Sequence, residues 1–371
     1  MHEWLIDWAG SEQVLQQILE CYPEADLFAL ADFLPAALRG RIMNKRVTTS
    51  FLQKMPFART ALWKYLPLMP AAVERLDLSA YDLIISSSHA VAKGVRTNPG
   101  QVHLSYVHSP MRYAWDMEHL YVQSPELSGP LHRFIARRIF SALRKWDVRT
   151  SVNPRALAAN SQFVAQRIRR VWNREATVIY PPVDTERHTP GGKKEGFFLC
   201  ASRLQHYKRI DVIVNAFASL PAQRLIVIGD GPERDRLRSR ASGNVTFMGY
   251  QTDEALTDHL QRAQALLFAA EEDFGILPVE AQACGTPVIA YGRGGALETV
   301  RDIGSSAATG IFFGRQIPSD VADAVRRFLA TDTGLTAEAC RSNALNFSAQ
   351  RFREAFRGFV EQNLQIESSG R

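Results

Sequence analysis

Glu272 and Glu280 lie eight residues apart in EEDFGILPVEAQACGTPVIAYGRGG (271–295), the stretch of the chain richest in chemistry. Phe274-Gly275-Ile276 runs into the helix that carries Glu280, and the first amides of a helix have no internal partner and favour an anion. Gly275 allows the backbone to approach a phosphate closely. Carboxylates do not favour phosphate, so the two acids need another duty, and accepting hydrogen bonds from sugar hydroxyls is the natural one. Dipole complementarity in a first helical turn is the plainer explanation of an acid there. It accounts for one Glu but not for Glu280, whose apolar surroundings suggest burial, where acids are rare unless paired. Upstream, SRLQHYKRID (202–211) sets Arg203 and Lys208 between a strand end and a helix. An Arg fork and a Lys point charge suit the phosphates of a nucleotide, although two solvated loop cations would look the same.

The first half of the chain offers weaker candidates. His89 follows the strand-like DLIISSS (82–88), and ligands in α/β sheets bind at the carboxyl ends of strands. A lone strand-end histidine is also commonly structural. His108 ends the next strand, in YVHSPMRYAWD, where it either contacts a second substrate or stabilises the loop. Arg112, Tyr113, Trp115 and Asp116 form either a sugar-stacking surface or a packed aromatic loop. In LHRFIARRIFSALRKWDVR (131–149), Leu131, Phe134, Ile135, Ile139, Leu143 and Trp146 recur at helical spacing, with six basic residues on the polar side. Such a helix lies on an anionic membrane or packs on a core with a solvated basic face.

These residues need strands to hold them, and apolar runs supply them. Residues 26–30, 82–88, 102–108, 157–160 and 177–180 read as strands in the first half. Residues 197–202, 224–230, 245–249, 265–270 and 287–291 do so in the second, with helical patterns at 209–219, 233–241, 253–263 and 278–284. The alternation predicts doubly wound α/β domains with parallel sheets covered on both faces. YPPVDTERHTPGG (180–192) halts regular structure and reads as an interdomain linker. Residues 39–75 are irregular and partly helical. Near the N-terminus, Ala9-Gly10 makes a tight turn into a helix over 11–20, with Ser11 as its expected N-cap.

Composition sets the outer bounds. With 371 residues, 46% hydrophobic and 22% charged, the chain is ordinary globular protein with length for two domains. No apolar run is long enough to span a membrane, and the first residues lack a signal-peptide layout, so a cytoplasmic location is expected. The four Cys residues are widely spaced with no CxxC pair, which favours free buried thiols over a metal site. The net charge of +6 favours an anionic partner. No zinc-finger spacing, RNP-like motif or long basic block points to nucleic acid.

Taken together, the E-x7-E pair, SRL-x4-K and GTPVIA resemble the retaining GT-B glycosyltransferases of family 4. HEWLIDWAGSEQVL, ISSSHAVAKG, VHSPMRYAWD, ANSQFVAQRI and VIYPPVD extend the resemblance to the branch containing bacterial O-antigen and exopolysaccharide mannosyltransferases. It covers nearly the whole chain and is weakest over 35–75 and 305–371. The resemblance implies two Rossmann-like domains facing across a cleft: an acceptor-side domain over 1–183 and a nucleotide-sugar domain over 184–345. A C-terminal helix over 346–371 would pack back toward the first. Arg203 and Lys208 would bind the donor diphosphate, Glu280 the ribose, and Glu272 the donor sugar. Amides of Phe274, Gly275 and Ile276 would meet phosphate or sugar. Gly10 would border the diphosphate, His89 would sit near the transferred sugar, and Gly249-Tyr250 would wall the base. His108, Arg112, Tyr113 and Trp115 are the acceptor-side candidates.

The reaction so implied is transfer of a hexose, mannose from GDP-mannose, to a lipid-linked saccharide in surface-polysaccharide synthesis, with retention. A UDP-hexose donor is the alternative. No metal or other cofactor is expected, because cationic side chains would replace an Asp-x-Asp clamp. The protein would act at the inner face of the cytoplasmic membrane, touching it through 131–149. A sugar-nucleotide epimerase, and a non-catalytic basic protein bound to membrane or nucleic acid, are the rival readings. In this family a short buried strand normally runs into H-E-W-L, whereas here the initiating Met stands at its end. The expectation is a first strand that is missing or truncated, with about five to eight further residues native to the protein.

Overall fold

The computed structural model describes residues 1–118, 129–330 and 334–368. The chain divides into two compact units, Met1–Tyr180 with Phe352–Arg371, and Pro181–Arg351.

In the first unit, β1 (Leu27–Ala29) pairs in parallel with β2 (Val47–Thr49). The strands β3 (Leu83–Ser88), β4 (Val102–Val107), β5 (Ala156–Ala159) and β6 (Thr177–Val178) form a second parallel set in that order. The gap between β1 and β3 is occupied at one end by the first residues of the chain. His2 bridges Ala29 on one side and Ser87 on the other, both in parallel sense. Met1 N donates to Ile85 O at 2.7 Å, and Ser87 N donates to Met1 O at 2.9 Å. The place of the first strand is therefore held by residues 1–3, and the sheet order becomes doubly wound about His2. Below Met1 the gap remains open as a groove of about 480 Å³, lined on its two edges by Leu27 and Phe28 and by Leu83, Ile84 and Ile85.

Helix α1 (Gly10–Cys21) follows, one residue longer at each end than its periodicity suggests. Ala9, not Ser11, occupies the N-cap. Ser11 lies inside the first turn and donates to Glu12 Oε2 at 2.9 Å, and the same carboxylate accepts from Ala9 N at 3.0 Å. The acid at the third helical position thus does the capping that the hydroxyl was expected to do. Residues 39–75 resolve into short helical segments around β2, a strand hidden in the sequence because its side chains are only half covered.

Helix α2 (Pro130–Thr150) divides along its length. Phe140, Leu143 and Trp146 are buried in the core, whereas Leu131, Phe134 and Ile135 are 66%, 54% and 47% exposed. Its inner end encloses a fully buried ion pair, Lys93 Nζ to Asp147 Oδ1 at 2.8 Å. The ammonium lies 5.0 and 4.8 Å from the rings of Trp146 and Trp172. Burial draws the Lys93 pKa down and Asp147 opposes the shift. Helix α3 (Gln162–Trp172) is capped by Ser161, whose hydroxyl accepts from Val164 N.

The second unit is a six-stranded parallel sheet. Its strands are β7 (Phe197–Ala201), β8 (Arg224–Ile228), β9 (Val245–Gly249), β10 (Ala265–Phe268), β11 (Val288–Tyr291) and β12 (Gly310–Phe313), in the spatial order β9-β8-β7-β10-β11-β12. The order reverses between β7 and β10, the switch point at which such sheets bind ligands. Helices α4 (Ile210–Ala216), α5 (Arg234–Arg240), α6 (Asp253–Arg262), α7 (Ile276–Ala283), α8 (Pro318–Ala330) and α9 (Ala337–Leu345) are the longer helices of the unit.

The Pro/Gly-rich stretch after residue 180 is anchored rather than free. Val183 bridges Ser348, and His188 is buried. Finally, α10 (Ala349–Ser368) carries Phe352, Phe356, Phe359 and Val360 into the first unit, where they pack with Val14, Ile18 and Tyr106. All four Cys residues are free and buried. Among the described residues, no helix is long and apolar enough to cross a membrane.

Candidate active site

The loops after β7 and β10, on either side of the switch point, bring together the second unit's candidates. Lys208 and Glu272 form an ion pair, with side chains 16% and 22% exposed. Arg203, two residues past β7, is exposed and makes no ion pair among the described residues. Neither loop is held by its own chemistry alone. Arg209, next to Lys208, donates to the Gln316 side chain and carbonyl at 3.1 Å, and Gln316 Nε2 reaches Ala269 O at 2.7 Å. One Gln after β12 thereby ties the Lys208 loop to the Glu272 loop, a role that no local pattern announces.

Backbone contact fixes the rest. Gly295 N donates to Glu272 O at 2.8 Å, and a Cβ on Gly295 would lie 2.3 Å from Phe274 Cα. The GRGG turn is therefore the floor of the Glu272–Phe274 loop. On the other side, Leu204 N donates to Asp230 O at 2.8 Å, and a Cβ on Gly229 would meet Ser202 O at 1.8 Å. The sequence reading assigned no role to Gly229 or Gly295, although IGDG after a strand is a recognisable turn signal.

Gly275 is the N-cap of α7, which starts at Ile276, two residues earlier than its pattern suggested. The amides of the first turn have no acceptor within the helix. Glu280 lies on this helix with its side chain 12% exposed, and Oε1 is 3.6 Å from His188 Nε2. The hydrogen bonds around His188 decide what that distance means. Arg187 Nη2 approaches His188 Nε2 at 3.1 Å, so Nε2 accepts. Thr257 Oγ1 spends its proton on Asp253 O, so it accepts from His188 Nδ1 at 3.1 Å. A histidine with an accepting Nε2 gives no hydrogen to Glu280, and the carboxylate keeps its capacity to accept from a ligand. His188 was hidden within a stretch read as linker. Gly249 ends β9, its carbonyl accepts from Gly229 N at 2.8 Å, and Tyr250 beyond it is 78% exposed.

In the first unit, Gly10 opens α1 and His89 follows β3, so both border the other topological reversal, around His2. The loop bearing His89 is gripped by a buried acid. Glu3 accepts from Ser88 Oγ and from the amides of His89, Ala90, Val91 and Ala92, at 2.8–3.1 Å. Trp4 packs edge-on against His89 with centroids 4.8 Å apart, and His108 lies 6.2 Å from His89. Desolvation holds both His89 and His108 below the ordinary histidine pKa. Trp115 is half-buried and its indole donates to Asp147 Oδ2 at 2.9 Å. Asp116 pairs with Arg167 and Arg170. Arg112 and Tyr113 are half-buried in the same loop, and Tyr113 packs against the core.

Comparison with known proteins agrees with this architecture. A family model described as "Glycosyltransferase Family 4" matches residues 8–187, and one described as "Glycosyl transferases group 1" matches residues 184–347. Together the two models match residues 8–347, and the fold is that of GT-B glycosyltransferase structures. A curated relative, D-inositol 3-phosphate glycosyltransferase of Mycolicibacterium smegmatis, is 30% identical over 218 residues, 52% of this chain and 49% of the relative. The chain spans about half the length of the curated relatives it matches. Among solved structures, Anabaena HepE in complex with UDP and glucose is similar with a TM-score of 0.67 and 19% identity. That match covers 97% of this chain and 99% of HepE. Sucrose-phosphate synthase from Thermosynechococcus elongatus reaches a TM-score of 0.72 at 19% identity, covering 99% of this chain and 100% of the synthase.

Proposed function

We propose that the protein is a retaining hexosyltransferase that uses a nucleotide diphosphate sugar. The observation that carries this reading is the cluster at the second unit's switch point. There the Lys208–Glu272 pair, an exposed Arg203, the open end of α7 and an acceptor-ready Glu280 converge from two loops. Arg203 and Lys208 take the diphosphate, Lys208 exchanging Glu272 for phosphate, and the freed Glu272 accepts from the sugar hydroxyls. Glu280 accepts from the ribose, the amides of Phe274, Gly275 and Ile276 meet phosphate or sugar, and Gly249-Tyr250 flanks the base. In the first unit Gly10 and His89 are the candidates for donor contact, and His108, Arg112, Tyr113 and Trp115 those for the acceptor.

In the reaction the anomeric carbon leaves the diphosphate oxygen and bonds the acceptor oxygen on the same face. The acceptor proton passes to the departing phosphate. Fixed cations and helix-end amides stabilise the charge that grows on the leaving group, so no side-chain nucleophile and no metal are invoked. The branch resemblance supports mannose from GDP-mannose and a lipid-linked saccharide acceptor at the inner membrane face. A second reading, a UDP-hexose donor, is favoured by the UDP and UDP-glucose complexes of HepE.

A screen of GDP- and UDP-sugars against extracted lipid-linked glycans tests both, with nucleotide release as the readout. Arg203→Ala and Lys208→Ala are each expected to lower kcat by about 10²–10³-fold. Conversion of a donor to its epimer without acceptor would replace this reading by the epimerase. Full activity in both variants would remove the transferase reading.

A further inference from the structure

A chain of buried side chains runs beneath His108, and its hydrogen-bond directions can be worked out. Glu12 Oε1 lies 3.3 Å from His2 Nε2. His2 Nδ1 lies 3.2 Å from Ser87 Oγ, and Ser87 Oγ lies 2.8 Å from His108 Nε2. His2 is fully buried, Ser87 is 1% exposed and Glu12 is 5% exposed. His108, at the far end, is partly exposed, and its Nδ1 makes no hydrogen bond among the described residues. The contacts join residues 85 positions apart, brought together because His2 sits between β1 and β3.

Three facts of donor and acceptor chemistry order this chain. An ionised carboxylate only accepts, so His2 Nε2 carries the hydrogen toward Glu12. Glu12 Oε2 already accepts from Ala9 N and Ser11 Oγ, which fixes the carboxylate in place. A neutral His2 then has an accepting Nδ1, which receives the Ser87 hydroxyl hydrogen. Ser87 Oγ, having spent its only hydrogen, accepts from His108 Nε2. With His2 neutral, His108 is then protonated at Nε2, with the lone pair of Nδ1 directed away from the relay. Protonation of His2 would reverse both Ser87 bonds and place the hydrogen of His108 on Nδ1.

We propose that Glu12, His2 and Ser87 are positioning residues that hold His108 as the Nε2–H tautomer, so that Nδ1 accepts a hydrogen bond from a hydroxyl of the saccharide acceptor. This rests on the transferase reading for the identity of the hydroxyl, but the tautomer itself does not. The relay fixes the ring at one nitrogen and leaves the other with a single role. A non-attacking hydroxyl held at the accepting nitrogen orients the acceptor, so that the attacking hydroxyl keeps its proton for the departing phosphate.

Nitrogen-15 NMR of the histidine rings in the full chain tests the relay without any turnover. At neutral pH, His108 should show a protonated Nε2 and an unprotonated Nδ1. Ser87→Ala should convert it to a mixture of tautomers while backbone resonances outside the β3 end are unchanged. A wild-type His108 protonated at Nδ1, or a tautomer unaffected by Ser87→Ala, would overturn the relay. In the transfer assay, Ser87→Ala and His108→Phe should each raise the acceptor KM by about three- to tenfold, the value of one hydrogen bond, with donor KM unchanged. A lost tautomer with an unchanged acceptor KM would keep the relay and overturn its assignment to the acceptor. Absence of any transfer activity in the wild-type chain, with the NMR result intact, would instead count against the transferase reading.

Discussion

Buried histidines give the first unit an acid sensitivity that can be assigned residue by residue. His103, 2% exposed beside Ser86 Oγ at 2.8 Å, has its pKa lowered to about 3 by burial. The unfolded chain takes up a proton there from pH 6.5 downward and the folded chain does not. Stability from this group is therefore complete above pH 6.5 and declines until pH 3, at up to about 1.4 kcal/mol per pH unit. Glu12 acts in the same direction at lower pH. Desolvation raises its pKa, but the hydrogen bond and charge of His2, the Ser11 hydroxyl and His89 together lower it to about 2, so its contribution is present above pH 4.5 and is lost toward pH 2. Urea midpoints between pH 7 and 4 should fall in the wild type and fall less steeply in His103→Gln. Parallel lines for the two proteins would refute the assignment. In the second unit Lys208 and Glu272 already neutralise each other, so a bound diphosphate would redistribute an existing pair rather than pair bare charges.

At the scale of elements, close backbone packing is the main constraint. Gly229 has φ 126° and no room for a Cβ against Ser202 O. Gly229→Ala should destabilise the protein by about 2–4 kcal/mol, seen as a lower thermal midpoint, because strain and clash add. Gly243→Ala, where a Cβ would meet nothing within 4 Å, is the control. The strands of both sheets were legible as continuous apolar runs, since parallel strands are buried on both faces. β2 was not, because Val47 and Thr49 are half covered, and β12 was not, because GIFF is short and follows a stretch without periodicity. The positions of Glu272, Arg203 and Lys208 just past strand ends were legible because strand ends can be read locally. Gln316, His188, and the grip of Glu3 on 89–92 were not, since each depends on register between distant segments. Ser11 was misread because a hydroxyl and an acid next to it compete for one cap, and the acid reaches farther.

For the whole molecule, net charge and exposed surface bear on where it acts. Leu131, Phe134 and Ile135 are exposed beside Arg133, Arg137 and Arg138, and the chain carries +6. Such a surface gains from both apolar insertion and anionic lipid. In flotation with vesicles, the protein should rise with those containing phosphatidylglycerol and stay behind with phosphatidylcholine alone. Phe134→Ser should weaken the association, and equal flotation of that variant would sink the role of this face. The sequence alone left this face and a core-packed helix as alternatives, and α2 packs on the core in its later turns while its first turns expose Leu131, Phe134 and Ile135. Its apolar spacing continues past the point where the core ends, which is why periodicity could not separate them.

The hold of Glu3 on residues 88–92 has a consequence in exchange kinetics. Amides outside helices and strands ordinarily trade hydrogen for deuterium quickly, but four successive ones here, three of them on buried residues, donate to one buried carboxylate. Their exchange requires residues 1–3 to leave the gap between β1 and β3, so the amides of 89–92 should exchange together with those of the adjoining sheet. Glu3→Gln should release these four amides first, and mass spectrometry of a peptide spanning 89–95 would report it. That segment would then serve as a clock for undocking of the N-terminal residues, read without ligand or turnover.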